Sequence, residues 1–119
     1  MEKRKSILRD KSFRFALRAI KCYQYLQSDK KEFLLSKQLL RSATSIGANI
    51  REGEQAQSKT DFIHKLSIAL KEASETAYWL ELLHQSGYLP ESLYQSIYED
   101  CIELIKLLTS IIKTTKSTQ

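Results

Sequence analysis

At 119 residues the chain suffices for one domain around one core, and its single Pro, three Gly and 42% apolar residues favour helix throughout. The net charge of +5 hides a division: residues 1–51 hold 13 Lys/Arg against 4 Asp/Glu, and residues 52–119 hold 6 against 10. Cys22 and Cys101 form no Cys-x-x-Cys and read as core residues of a reducing compartment; with no apolar run of roughly 18 residues and no signal-peptide stretch, the expectation is a cytoplasmic protein without a membrane partner.

Residues 1–10 form a basic leader expected to fray, with Ile7 and Leu8 as its only anchors. The first helix is predicted from about Ser12, its N-cap, to about Ser28. Phe13, Ala16, Leu17, Ile20, Tyr23 and Gln24 make its main face, while Phe15, Ala19, Cys22 and Leu26 make a second apolar face that calls for a second partner. Between these faces run Lys11, Arg14, Arg18 and Lys21, and no acidic residue occurs from Lys11 to Ser28, so that stripe must meet water or an anion.

The turn Asp29-Lys30-Lys31 leads to a second helix predicted from about Glu32 to Gly53, its stop. Leu35, Leu39, Ala43, Ile46 and Ile50 recur at helical spacing, beside a cationic flank of Lys37, Arg41, Thr44 and Arg51 and a polar row of Ser45, Asn49 and Glu52. Gly47 costs roughly 1 kcal/mol against Ala inside a helix, so another backbone is expected to pass close to it. The third helix is predicted from a cap at Ser58 or Thr60 to Gly87, the longest and the spine, with Phe62, Leu66, Ala69, Leu70, Ala73, Ala77 and Leu80 as core. Ile68, Trp79 and Leu82 project on its far side. The fourth helix is predicted from Glu91 to Lys113, with Leu93, Ile97, Cys101, Leu104, Leu108 and Ile111 inward and residues 114–119 too polar to pack. Three short connections imply an all-α, antiparallel up-down-up-down four-helix bundle, one domain over residues 1–119 with flexible ends.

Catalytic constellations are missing from this pattern. His64 and His84 lie on one helix but point to different faces, there is no Glu-x-x-His and no phosphate-cradling Gly loop, and Glu72 with Glu75 or Glu99 with Glu103 fit a solvated helical face. The reading is of a non-enzymatic protein with no metal and no cofactor.

The run LSKQLLRSATSIGANIREGEQAQSKTDFIHKLSIALKEASETAYWLELL, from Leu35 to Leu83, strongly resembles the bacterial four helix bundle proteins, also called 23S ribosomal RNA intervening-sequence proteins, with SIGANIREG as its most specific part. The resemblance implies four-helix subunits assembled into homopentamers, and a related branch works with RNA and a reverse transcriptase. Ser45, Asn49 and Glu52 fall in that signature; they read first as buried hydrogen-bonding residues that lock helices together and second as a ligand or RNA contact.

Two functions follow as expectations. In the first, a homo-oligomer binds structured RNA, alone or with an RNA-associated protein, through Lys11, Arg14, Arg18, Lys21, Lys37, Arg41 and Arg51, with Phe15, Cys22, Leu26, Ile68, Trp79 and Leu82 buried between subunits. In the second, the chain is a protein-protein scaffold or adaptor whose charge pairs neighbouring subunits.

Overall fold

In the computed structural model, which describes residues 2–118, the chain forms four helices: α1 (Glu2–Ser28), α2 (Leu35–Glu54), α3 (Lys59–Gln85) and α4 (Glu91–Ser117). They pack in a ring, α1 on α2 and α4, and α3 on α2 and α4, in an antiparallel bundle 49 Å long. The expected architecture is therefore present, although α3 is no longer than α1 or α4, each being 27 residues.

The end residues depart from expectation. Helix α1 starts ten residues before Ser12, and Ser12 is no cap: it is buried, with its hydroxyl donating to the Arg9 carbonyl at 3.0 Å. The leader is held because Leu8 is buried in the core, one turn ahead of Ser12, and the tail is held because Thr115 packs inward on α4. Met1 and Gln119, which belong to the expected flexible ends, lie outside the described residues.

The longer α1 also reverses its faces. Leu8, Ser12, Phe15, Ala19, Cys22 and Leu26 alternate steps of four and three and form one continuous buried seam. Phe15, Cys22 and Leu26 are thus core residues of their own chain and offer no surface to another subunit. Phe13, Leu17 and Ile20 point outward instead, 53%, 49% and 37% exposed. The seam won because it runs the length of the bundle, and a helix begun at Ser12 conceals its first members.

Opposite this seam lie Leu39, Ala43, Ile46 and Ile50 of α2, Leu66, Ala69, Ala73, Ala77, Leu80 and Leu83 of α3, and Ile97, Cys101, Leu104, Leu108 and Ile111 of α4. Small residues on α3 let its neighbours approach, and the hydroxyls of Ser42 and Thr76 bond each other across the α2–α3 seam at 2.8 Å. The Cys101 thiol donates to the Ala73 carbonyl at 3.3 Å. Burial pushes the Cys22 thiol up to about 11 and that of Cys101 to about 12, so both stay protonated and inert at neutral pH.

Each connection has its own chemistry. Glu32 belongs to the α1–α2 turn, not to α2, and its buried carboxylate accepts the backbone N–H groups of Leu34, Leu35 and Ser36 at 3.1, 2.8 and 2.7 Å, closing the start of α2. Ser58 caps α3 by accepting from the Asp61 N–H at 3.0 Å. Gly87, at φ +91°, follows α3 in a paired C-terminal motif in which Tyr88 N–H bonds the Leu83 carbonyl and Gly87 N–H that of His84. Gly53 does not stop α2, which continues through Glu54. Its role is close packing, because a Cβ there would lie 3.0 Å from Leu66 Cδ1.

Candidate nucleic-acid interface

The seven cations that the sequence offered for RNA divide into two sets once the other helices are in place. Lys11 Nζ lies 3.1 Å from Glu103 and Arg18 donates to Asp100 at 2.7 Å, both across to α4. Arg41 bridges Glu72, at 3.2 Å, and Glu75 on α3. The missing acid of α1 is supplied by α4, so these three cations serve first as links between helices. Glu72 and Glu75 are likewise bound, Glu75 also accepting from Trp79 Nε1 at 2.9 Å, and the indole bond followed by Arg41 holds its carboxyl below the usual range.

Arg14, Lys21, Lys37 and Arg51 form the second set: all are exposed, and none has an ion-pair partner among the described residues. Arg14 and Lys21 flank the outward Leu17, and the Arg51 guanidinium lies 5.5 Å from the centre of the Phe13 ring. The free cations of α1 therefore share a surface with its exposed apolar stripe. Beside that stripe a groove of about 270 Å³ runs between α1 and α2, bounded by Ala16, Thr44, Gly47 and Ala48. The backbone of α1 does pass Gly47, but not so closely as to require a glycine: the Ser12 carbonyl oxygen lies 3.6 Å from where a Cβ would stand, an ordinary contact that leaves room for a methyl group.

The signature polar row serves its own helix. Ser45 donates to the Arg41 carbonyl at 2.7 Å and Asn49 to the Ser45 carbonyl at 2.8 Å, while exposed Glu52 pairs with Lys65 of α3 at 2.9 Å. None of the three is buried. The buried polar link between helices is Ser42 with Thr76, one turn before Ser45, and the helical spacing alone does not single it out. Ile68, Trp79 and Leu82 are half-buried, Trp79 packed against the core and Tyr78 set edge-on to it at 5.2 Å. His84 pairs with Glu91 at 2.7 Å and stacks on Tyr94 at 4.0 Å, a contact that joins the ends of α3 and α4. Among the described residues no three His, Cys, Asp or Glu gather as a metal site, and no helix is long and apolar enough to cross a membrane.

Sequence reasoning also missed a second basic cluster. Lys5, Arg9 and Lys59 meet at the other end of the bundle, around a cleft of about 560 Å³. Lys59 lies 50 and more residues from the other two, which sit in a leader that read as frayed.

A family model described as 23S rRNA-intervening sequence protein matches residues 4–110, which takes in α2 and α3 entirely and most of α1 and α4. The chain is also similar to a solved structure from Bacteroides thetaiotaomicron VPI-5482, a protein of unknown function from the S23 ribosomal protein family. Identity is 57%, over 92% of this chain and 98% of that one, with a TM-score of 0.91. No curated protein matches. By that family match and that shared fold, the chain belongs to the 23S rRNA-intervening sequence protein family.

Proposed function

We propose that the chain is a non-enzymatic, self-associating helical bundle that binds structured RNA through the unpaired cations Arg14, Lys21, Lys37 and Arg51. The observation that supports self-association is the apolar stripe of Phe13, Leu17 and Ile20, whose side chains stand beside a groove that another copy of the chain can fill. Support for RNA comes from four free cations on two adjacent helices and from the net charge of +5, in a family described as 23S rRNA-intervening sequence protein. In a ring of copies, five by resemblance, the same field is repeated around the assembly. A reverse transcriptase or another RNA-associated protein is a second partner consistent with that resemblance. A scaffold without nucleic acid is the competing reading, and the observation that favours it is the pairing of Lys11, Arg18 and Arg41 with carboxylates.

The test is a salt titration of wild type and of the variant with Arg14, Lys21, Lys37 and Arg51 changed to Gln, on one structured RNA, with mass followed by light scattering. The reading expects an oligomeric mass for both proteins and a salt dependence that falls by somewhat under one unit of slope per cation removed. Equal affinity and equal slope would refute RNA binding at these residues. A monomeric wild type would refute the role given to the apolar stripe, and dissociation of the variant alone would hand the cations to the subunit interface and the scaffold reading.

A further inference from the structure

The geometry points to a second ligand site, a cleft for a nucleotide phosphomonoester at the end of the bundle where α1 and α3 begin and α2 and α4 finish. Its volume, about 560 Å³, falls in the range of roughly 300–1,000 Å³ occupied by small-molecule sites. Three cations line it, Lys5 and Arg9 from the first turns of α1 and Lys59 from the start of α3, against one carboxylate, Glu54. That carboxylate lies 3.7 Å from Arg9 Nε and leaves Lys59 without an ion-pair partner among the described residues.

The chemistry of the lining is what selects the ligand. Lys5 Nζ sits 4.6 Å from the centre of the Phe62 ring, so cation and aromatic surface are presented together on one wall. A simple inorganic anion would use the cations and leave the ring idle, whereas a nucleotide offers a doubly charged phosphate for the first and a flat base for the second. The Ser6 hydroxyl in the lining supplies a neutral donor, whereas that of Thr118 donates to the Thr114 carbonyl at 2.8 Å. Arg9 is the cleft's last α1 residue, Arg14 and Lys21 lie further along the helix, and Arg51, two residues before Gly53, is not part of the lining. It therefore does not depend on the RNA reading above, since a free mononucleotide and the phosphorylated end of an RNA strand carry the same group.

The experiment uses the full chain and two pairs of probes: adenosine 5′-monophosphate against adenosine, and a decauridylate with a 5′-phosphate against the same strand with a 5′-hydroxyl. Amide chemical shifts locate the binding and titrations give affinities, for wild type and for the variant Lys5→Gln, Arg9→Gln, Lys59→Gln. Helical circular dichroism confirms that the variant is folded, and the single change Lys59→Gln, at an exposed first-turn position, serves if it is not. The phosphate should raise affinity about tenfold or more within at least one pair, as charge-assisted bonds do, with shifts at residues 5–9 and 58–62 and loss of that gain in the variant. A gain in the adenosine pair alone assigns the site to free mononucleotides, and a gain with the decauridylate assigns it to strand ends. No phosphate dependence in either pair, shifts confined to the middle of α1, or a gain that survives in the folded variant would overturn the assignment. The variant with Arg14, Lys21 and Lys37 changed to Gln, which leaves Arg51 beside Gly53 in place, should keep the phosphate discrimination, and this separates failure of this site from failure of the RNA surface.

Discussion

Glu32 is the residue on which the entry to α2 depends, and Glu32→Ala is the sharpest perturbation of the fold. Its carboxylate accepts three backbone N–H groups while its own carbonyl accepts the Ser36 hydroxyl at 2.9 Å. The three N–H groups differ in what water can do for them. Leu34 is 79% exposed, so its N–H is readily rehydrated, but Ser36 is fully buried and its N–H would be orphaned. A lost cap of about 1 kcal/mol and an unsatisfied buried donor of about 1–3 kcal/mol give an expected loss of about 2–4 kcal/mol. Glu32→Gln keeps one acceptor oxygen and should lose about half as much. Acid supplies an independent check. Burial alone would raise the Glu32 pKa, but the hydrogen bonds from Leu35, Ser36 and Leu34 outweigh it and lower it. The carboxylate therefore contributes fully above its unfolded value of about 4.3, and that contribution is lost as pH falls through the folded value. Urea unfolding at fixed protomer concentration, at neutral pH and through the acid range, measures both. A Glu32→Ala midpoint equivalent to less than about 0.5 kcal/mol of loss, or an acid dependence unchanged in Glu32→Gln, would refute the capping role.

Two further substitutions test backbone readings. Lys31 holds φ +54°, a left-handed conformation costing a non-glycine residue about 1–2 kcal/mol, so Lys31→Gly should raise stability by about 0.5 kcal/mol after its unfolded-state entropy is counted; a fall in the urea midpoint would contradict it. Gly47→Ala places a methyl at ordinary contact distance from the Ser12 carbonyl and should gain up to about 1 kcal/mol of helix propensity, an expectation that a lower melting temperature would refute.

What the sequence made legible was whatever repeats along one helix. The cores of α2, α3 and α4 follow from single-helix periodicity, and Leu39, Ala43, Ile46 and Ile50 or Ile97, Cys101, Leu104 and Leu108 are buried as spaced. On α1 two stripes of similar apolarity compete, and the choice rests on which one continues. Leu8 decides it, four residues before Ser12, in a stretch whose five basic residues through Lys11 suggest a solvated leader. Ser12 misleads twice, as a hydroxyl suited to a cap and as a polar residue in a seam. Gly53 misleads in the same manner, because a glycine near a helix end serves equally to terminate it or to admit Leu66 of a neighbour. Such choices are settled by tertiary contacts that no single-helix pattern contains.

The candidate site was less legible because charge pairing is a property of the assembled bundle. Counted along the chain, the first two helices as predicted from the sequence offer seven cations for phosphate: Lys11, Arg14, Arg18, Lys21, Lys37, Arg41 and Arg51. Folded, Lys11, Arg18 and Arg41 face carboxylates drawn from residues 72–103, so part of the charge of the basic first half is met by the acidic second half within one subunit. Exposed pairs of this kind contribute no more than about 1 kcal/mol each to stability, so their main effect is on the field outside the molecule. That effect is measurable. At roughly 0.9 units of slope per phosphate neutralised, the four free cations of this surface contribute about 3.6 units per subunit engaged, where all seven would give about 6.3. A slope near the larger value would mean that RNA draws Lys11, Arg18 and Arg41 away from Glu103, Asp100 and Glu72, and substitution of those carboxylates by Gln or Asn should then tighten binding. A slope at or below the smaller value, unaffected by removing the carboxylates, is what the folded arrangement requires.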